Sequence, residues 1–255
     1  MKWQFIDSGF NTGSFNMGYD INLVKNCSPD NAYFRLYRWN PYCISLGANQ
    51  SFNEIKLDKA AEDNIDLVKR PTGGRAILHA EELTYSVVMP LNINFSPKNI
   101  YHEINLAIYK SLKIYDYRLT EIELEKQQAD FSSLYKNQSN SVCFAVSARN
   151  EINYNGQKLV GSAQRKMGNV VLQHGSILCG DYHKKIVDYL NFDEDKLIEI
   201  KEKLDSNTID LSSILNEQID YDRLLSSLCV GFEKYFNIKM DRISQDEILN
   251  TEKII

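Results

Sequence analysis

Arg70-Pro-Thr-Gly-Gly-Arg-Ala-Ile-Leu-His79, with the Glu82-Leu-Thr-Tyr-Ser86 that follows it, is the stretch on which the fold turns. It reads as strand, tight glycine turn, strand. Asp66 to Arg70 is a short β-like run, and Pro71 ends it because proline has no N–H for a ladder. Gly73 and Gly74 tolerate positive φ and carry no Cβ, so a ligand can press against the backbone there. Lys69, Arg70 and Arg75 surround the turn with positive charge. Alone, a Gly-Gly pair reads as a β-hairpin with surface arginines.

A second glycine motif changes the weighting. In Asn155-Gly156-Gln-Lys158-Leu-Val-Gly161-Ser162-Ala163-Gln164, a lysine follows a tight Asn-Gly hairpin turn. Strands are expected over 148–154 and 157–164. A lysine buried in a strand requires a carboxylate, a phosphate or a developing oxyanion beside it; the alternative is a lysine that points to solvent. Cys143 lies after a polar connector, 120–141, and before the first of these strands. A thiolate attacks thioesters, and nearby positive charge lowers a thiol's pKa. Lys158 could supply that charge or hold the carbonyl oxygen as charge develops on it; a lone cysteine is otherwise a packing residue. His79 and His174 read either as bases or as satisfied core histidines. Asp20, among apolar positions of the first helix, reads as a solvated helix acid.

The rest of the chain frames these motifs. At 255 residues it can bury a full core, and a net charge of −5 argues against general nucleic-acid binding. No apolar run reaches the length of a membrane span, and the N-terminal apolar run is too short for a signal peptide, so a cytoplasmic protein is expected. The five cysteines are widely spaced with no C-x-x-C pair, which disfavours a disulfide framework and a zinc site. Helices are expected over 14–26, 54–64 and from Ser96-Pro97 to Leu112, where serine is an N-cap and proline a first helical residue. The runs 32–38 and 42–47 read as a hairpin, 83–89 as a central strand and 169–179 as a last long strand. Beyond Gly180 the expectation is helical: 193–204, 211–216 and 221–236, a small cap on the sheet. The pattern is α+β, a mixed sheet with flanking helices.

Four motifs in order resemble the lipoyl/octanoyl transferase and lipoate–protein ligase family. They are Asn16-Met-Gly-Tyr-Asp20, the run from Lys69 to His79 with Glu82 to Ser86, Gly156 to Gln164, and Gln173-His-Gly-Ser176. The resemblance spans roughly residues 14 to 180 and implies the fold of biotin/lipoate protein ligases, with a groove for a linear acyl chain. It treats 1–255 as one catalytic domain with 181–255 as its C-terminal helical part. Gly73-Gly-Arg-Ala76 and Cys143-Phe144 are most similar to the cysteine-dependent octanoyltransferases of Gram-positive type. Arg75 stands where the ATP-using ligases of the family carry a third glycine. Arg149-Asn150-Glu151-Ile152 is closer to the ligase pattern, so a ligase is the second reading. An octanoyl amidotransferase and a non-catalytic acyl-binding subunit are others.

The resemblance implies Cys143 and Lys158 as catalytic residues. It implies Arg70, Thr72, Gly73, Gly74, Arg75, His79, Gly161, Ser162 and Ala163 as substrate-binding ones. Octanoyl-acyl carrier protein would be the donor and a lipoyl-domain protein the acceptor, either the glycine cleavage H protein or a 2-oxoacid dehydrogenase E2. Neither cofactor nor metal is implied, and the protein would act as a monomer, away from nucleic acid and membrane.

Overall fold

The computed structural model describes residues 1–92, 96–125 and 151–250. Its strands are β1 (Lys2–Asn11), β2 (Asn31–Trp39), β3 (Cys43–Leu46), β4 (Asp66–Lys69), β5 (Ile77–His79), β6 (Glu82–Pro90), β7 (Ile122–Leu124), β8 (Ile152–Tyr154), β9 (Gln157–Met167), β10 (Val170–Leu178) and β11 (Met240–Arg242). Eight of them form one mixed sheet in the order β11-β1-β2-β6-β10-β9-β8-β7, and three form a second sheet, β4-β3-β5. β1 runs parallel to β11 and β2, and the rest of the large sheet is antiparallel.

The helices are α1 (Gly13–Lys25), α2 (Leu57–Glu62), α3 (Pro97–Tyr115), α4 (Ile186–Tyr189), α5 (Glu194–Asn207), α6 (Leu211–Leu215), α7 (Tyr221–Phe236) and α8 (Gln245–Asn250). α3 begins as expected, with Ser96 accepting from the Asn99 N–H and Pro97 at the first position. Ile100, Ile104, Ala107, Ile108 and Leu112 are all buried. Together with α7 they cover one face of the large sheet, meeting Phe34, Leu83, Tyr85 and Val87. Phe232 of α7 stacks on Phe34 at 4.3 Å between ring centroids. α7 is thus part of the main core, not a cap set on top of it, and β11 after it extends the sheet.

Successive residues of a strand face opposite ways. Tyr33, Arg35 and Tyr37 of β2 therefore face away from the core of Phe34 and Leu36, towards α1 and the small sheet. Both faces of β2 are covered, so Ala32 to Tyr37 are buried without interruption. α1 starts at Thr12, whose side chain accepts from the Phe15 N–H. It packs Tyr19 and Leu23 against Ile6, Tyr33, Val88 and Leu172.

Several expectations are corrected. β2 and β3 belong to different sheets and form no hairpin. β4 and β5 do not pair across the glycine turn; each pairs with β3, β4 in parallel and β5 antiparallel. The turn is thus a crossover between the outer strands of a three-stranded sheet. The second helix is shorter than 54–64, with Ala60 inward while Leu57 and Ala61 are exposed. The connector 120–141 contains β7, which pairs with β8; residues 126–141 lie outside the described residues. The Asn155-Gly156 turn is as expected, both residues having positive φ (48° and 78°), and it joins β8 to β9.

Asp20 is not a solvated helix acid. It is fully buried and forms an ion pair with the equally buried Arg35 at 2.9 Å. Its Oδ1 also accepts from Ser86 Oγ (2.8 Å) and its Oδ2 from the Tyr37 hydroxyl (3.3 Å). Arg35 donates further to Ser8 Oγ, the Asn16 carbonyl and Asn16 Oδ1. No helix among the described residues is long and apolar enough to cross a membrane.

Burial pushes the Asp20 carboxyl up, but Arg35, with His174 and Ser86, outweighs it and holds the group below the ordinary carboxylate range. A folded-state pKa below the unfolded one gives stability that is present above about pH 4 and is lost as pH falls towards the folded value. Asp20→Asn should therefore flatten the acid limb of a plot of urea midpoint against pH. Asp20→Ala, which strands a buried guanidinium, should cost about 3–5 kcal/mol at neutral pH. An unchanged acid limb in Asp20→Asn would remove Asp20 as its source.

Candidate active site

A small cavity lies between the α1-facing side of the large sheet and the small sheet. Met17, Tyr37, Trp39 and Ile77 give it apolar walls, and Lys158 enters from β9. Six of the site residues implied by the resemblance line it: Arg70, His79, Lys158, Gly161, Ser162 and Ala163. Thr72, Gly73, Gly74 and Arg75 are not in its wall; they form the loop behind Arg70. Cys143 and Phe144 lie outside the described residues.

The glycine loop is shaped from inside. Arg70 is buried, where a cation offered to solvent was expected. Its guanidinium donates to the carbonyls of Ser45, Gly73 and Arg75 and to Ser45 Oγ. A Cβ on Gly47, at the end of β3, would meet the Gly74 carbonyl oxygen at 2.0 Å. Only glycine lets these backbones come so close, and Gly74 itself has φ of 96°. Thr72 is buried beneath, its hydroxyl 2.6 Å from His174 Nε2.

Two histidines support the walls. The His79 ring stacks on Trp39, with centroids 4.1 Å apart. Its Nδ1 lies 2.8 Å from Glu82 Oε1 and its Nε2 2.7 Å from Ser45 Oγ. Burial raises the Glu82 carboxyl, but His79, Thr84 and Ser176 outweigh burial and hold it below its ordinary range. His174 also lines the cavity, with Nδ1 3.8 Å from Asp20 Oδ2. Burial pushes the His174 imidazole below its ordinary range, against the pull of Asp20. His79 has both ring nitrogens engaged within the wall, and His174 has Nε2 engaged by Thr72.

Lys158 is the cation of the site. Its side chain is 1% exposed, and Nζ lies 2.9 Å from Glu151 Oε2. An ammonium set into an apolar wall needs such a partner. Next to it, Ser162 Oγ is 2.7 Å from the Tyr85 hydroxyl and 2.9 Å from Asn105 Oδ1. Tyr85 reaches Ser162 across Gly175, where a Cβ would meet its ring at 2.6 Å. The described cysteines are poor nucleophiles. Burial raises the thiols of Cys43 and Cys179 well above the ordinary range, that of Cys27 to about 11 and that of Cys229 to about 12. Among the described residues no cluster of His, Cys, Asp and Glu could hold a metal ion.

Sequence reasoning missed Asp20 and Arg35 under the floor, Glu82 behind His79, and Tyr37, Trp39 and Met17 in the wall. The apolar three look like core residues in any pattern. Arg35, alternating with aromatics in an evident strand, was the one detectable signal, since a charge at a core position calls for a buried partner.

The model of the lipoyl protein ligase A/B catalytic domain matches residues 12–233. Octanoyltransferase LipM of Macrococcus caseolyticus is 32% identical over 247 residues, spanning 94% of this chain and 88% of its own. Octanoyltransferase LipM of Bacillus subtilis is 32% identical over 274 residues, spanning 96% and 91%. Among solved structures, a bi-partite lipoate protein ligase from Thermoplasma acidophilum superposes with a TM-score of 0.75 at 18% identity, covering 98% of this chain and 91% of its own. That likeness speaks to the fold. The match over residues 12–233 takes in the glycine loop, the lysine hairpin and the apolar cavity between them, and the chain belongs to the lipoyl protein ligase A/B catalytic-domain family.

Proposed function

We propose that this chain is an octanoyltransferase of protein lipoylation. It moves an octanoyl group from the thioester of an acyl carrier protein to the lysine of a lipoyl domain, by way of a thioester on Cys143. The observation that carries this reading is the ammonium of Lys158, buried in the wall of a largely apolar cavity. A linear acyl chain fits walls of Met17, Tyr37, Trp39 and Ile77, and its carbonyl end belongs beside the cation. The 32% identity to proteins named octanoyltransferase supports acyl transfer. Arg75, in place of the third glycine of the family's ligases, weighs against adenylate formation.

In the first step the Cys143 thiolate attacks the carbonyl carbon of the octanoyl thioester. The carrier's thiol leaves as a thiolate and takes up a proton. Lys158 holds the carbonyl oxygen as negative charge gathers on it. In the second step the neutral amine of the acceptor lysine attacks the Cys143 thioester. An amide forms, the amine loses its proton, and the Cys143 thiolate is released. Thioester to amide is downhill, so no ATP enters. Arg70 and Thr72 keep the glycine loop in shape, with Gly73, Gly74 and Arg75 as its backbone. His79, Gly161, Ser162 and Ala163 complete the acyl wall. The acceptor is the glycine cleavage H protein or a 2-oxoacid dehydrogenase E2, and the protein works as a cytoplasmic monomer.

Intact mass after mixing with octanoyl-acyl carrier protein, without ATP, tests the reading. The expected result is one octanoyl adduct, mapped to Cys143 and discharged by a lipoyl domain. Modification of the lipoyl domain only when ATP and free octanoate are supplied would overturn it in favour of a ligase. Cys143→Ala should form no adduct and keep its thermal melt. Lys158→Ala, with the stabilising cation gone, should slow adduct formation by about 10²–10³-fold; a rate unchanged from wild type would remove Lys158 from the chemistry.

A further inference from the structure

The hairpin that carries Lys158 is irregular at one place. Tyr154 faces Gln157 and Asn153 faces Lys158, but Ile152 faces Val160, which leaves Leu159 as the extra residue of a β-bulge. Bulges bend a strand and re-aim its side chains. The backbone of Lys158 is also fixed from its other edge. It bridges in parallel to Thr208, and its carbonyl accepts from the Ile209 N–H at 3.1 Å. The main chain at Lys158 is thus held on both sides, while its four-carbon stem remains intrinsically flexible.

Glu151 stands just before β8, next along the ladder from the Ile152–Val160 pair. Its own backbone is pinned, its carbonyl accepting from the Glu125 N–H at 2.8 Å. Its carboxylate spans Gly161: Oε2 lies 2.9 Å from Lys158 Nζ, and Oε1 accepts from the Ser162 N–H at 3.4 Å. One buried anion therefore ties together two groups that line the acyl cavity. A pair of apolar side chains would stabilise the hairpin about as well as a buried ion pair. What the ion pair alone supplies is direction. With one of the three ammonium N–H groups turned to Glu151, the orientation of the other two is set.

We propose that Glu151 is the positioning residue of the transfer reaction, its carboxylate bridging Lys158 Nζ and the Ser162 N–H so that the ammonium is aimed at the acyl carbonyl. This rests on the role given to Lys158 in the transferase reading. Glu151 touches no reacting atom and acts only through Lys158.

The test is octanoylation of a lipoyl domain followed by mass, run with octanoyl-acyl carrier protein and, separately, with octanoate and ATP. Glu151→Gln should lower kcat about 10²-fold while KM for the donor stays within about twofold, the pattern of lost orientation and not of lost binding. Glu151→Asp, which keeps the charge on a shorter arm, should recover part of the rate. In a Lys158→Ala background, Glu151→Gln should have no further effect, because the group it positions is gone. If Glu151→Gln alone folds poorly, Glu151→Asp, which keeps the buried charge, makes the same comparison with and without Lys158. A Glu151→Gln enzyme with the wild-type rate, or one whose loss is the same with and without Lys158, would overturn the proposal. Wild type that works only with ATP would sink the transferase reading and leave the Glu151 comparison standing on the ligase reaction. Wild type inactive with both donors would sink the two together.

Discussion

A guanidinium and a carboxylate sealed away from water organise this molecule. Arg35 on β2 and Asp20 on α1 cannot be buried separately, because either charge alone would face a large desolvation penalty. Together they bring their elements into one arrangement. Arg35 reaches Ser8 of β1 and Asn16 of α1, while Asp20 reaches Ser86 of β6 and Tyr37 of β2 and faces His174 of β10. His174 passes the arrangement on to Thr72, and so to the glycine loop. The helix, four neighbouring strands of the large sheet and the loop are thereby linked by one polar network below the cavity.

The chamber above that network is apolar for a related reason. His79 offers the cavity a ring stacked on Trp39, while both of its nitrogens are engaged, by Glu82 and Ser45. Trp39 likewise gives its N–H to Thr84 Oγ1 at 2.7 Å. Side chains that look polar in a list present ring faces to the ligand and keep their polar edges in the surrounding protein. Water has little to bind in such walls, and an acyl chain displaces it at low cost. Lys158 stands among these walls with its ammonium held by Glu151, and in the proposed reaction the carbonyl end of the acyl chain would lie beside it.

How far the sequence could be read follows from which interactions are local. α3 was legible from Ser96, Pro97 and the spacing of Ile100, Ile104 and Ile108, and the β8–β9 turn from Asn155-Gly156, because caps and turns are decided within a few residues. Lys158 was legible because a lysine after such a turn, in a buried strand, requires an explanation. The pairing of β3 with both β4 and β5 was not, since hydrophobic pattern does not say which distant strand is the neighbour. Asp20 was misread for a similar reason: its partner lies in another element, and nothing nearby in the chain distinguishes a buried helix acid from a solvated one. Cys143 stands on resemblance and chemistry, as it falls outside the described residues.

The glycine loop bears on what kind of acyl activation this site is built for. A guanidinium has five N–H donors in a fixed fork. Those of Arg70 make five hydrogen bonds, to the Ser45, Gly73 and Arg75 carbonyls and to Ser45 Oγ. The positive charge nearest the cavity from this loop is thus engaged in bracing the loop's own backbone. Bonds to the Gly73 and Arg75 carbonyls brace the loop from within, and Arg70 is spent on holding that shape. A braced wall suits the proposed transfer, in which the acyl group would arrive already activated as a thioester and the site would have only to hold the chain with its carbonyl end beside Lys158.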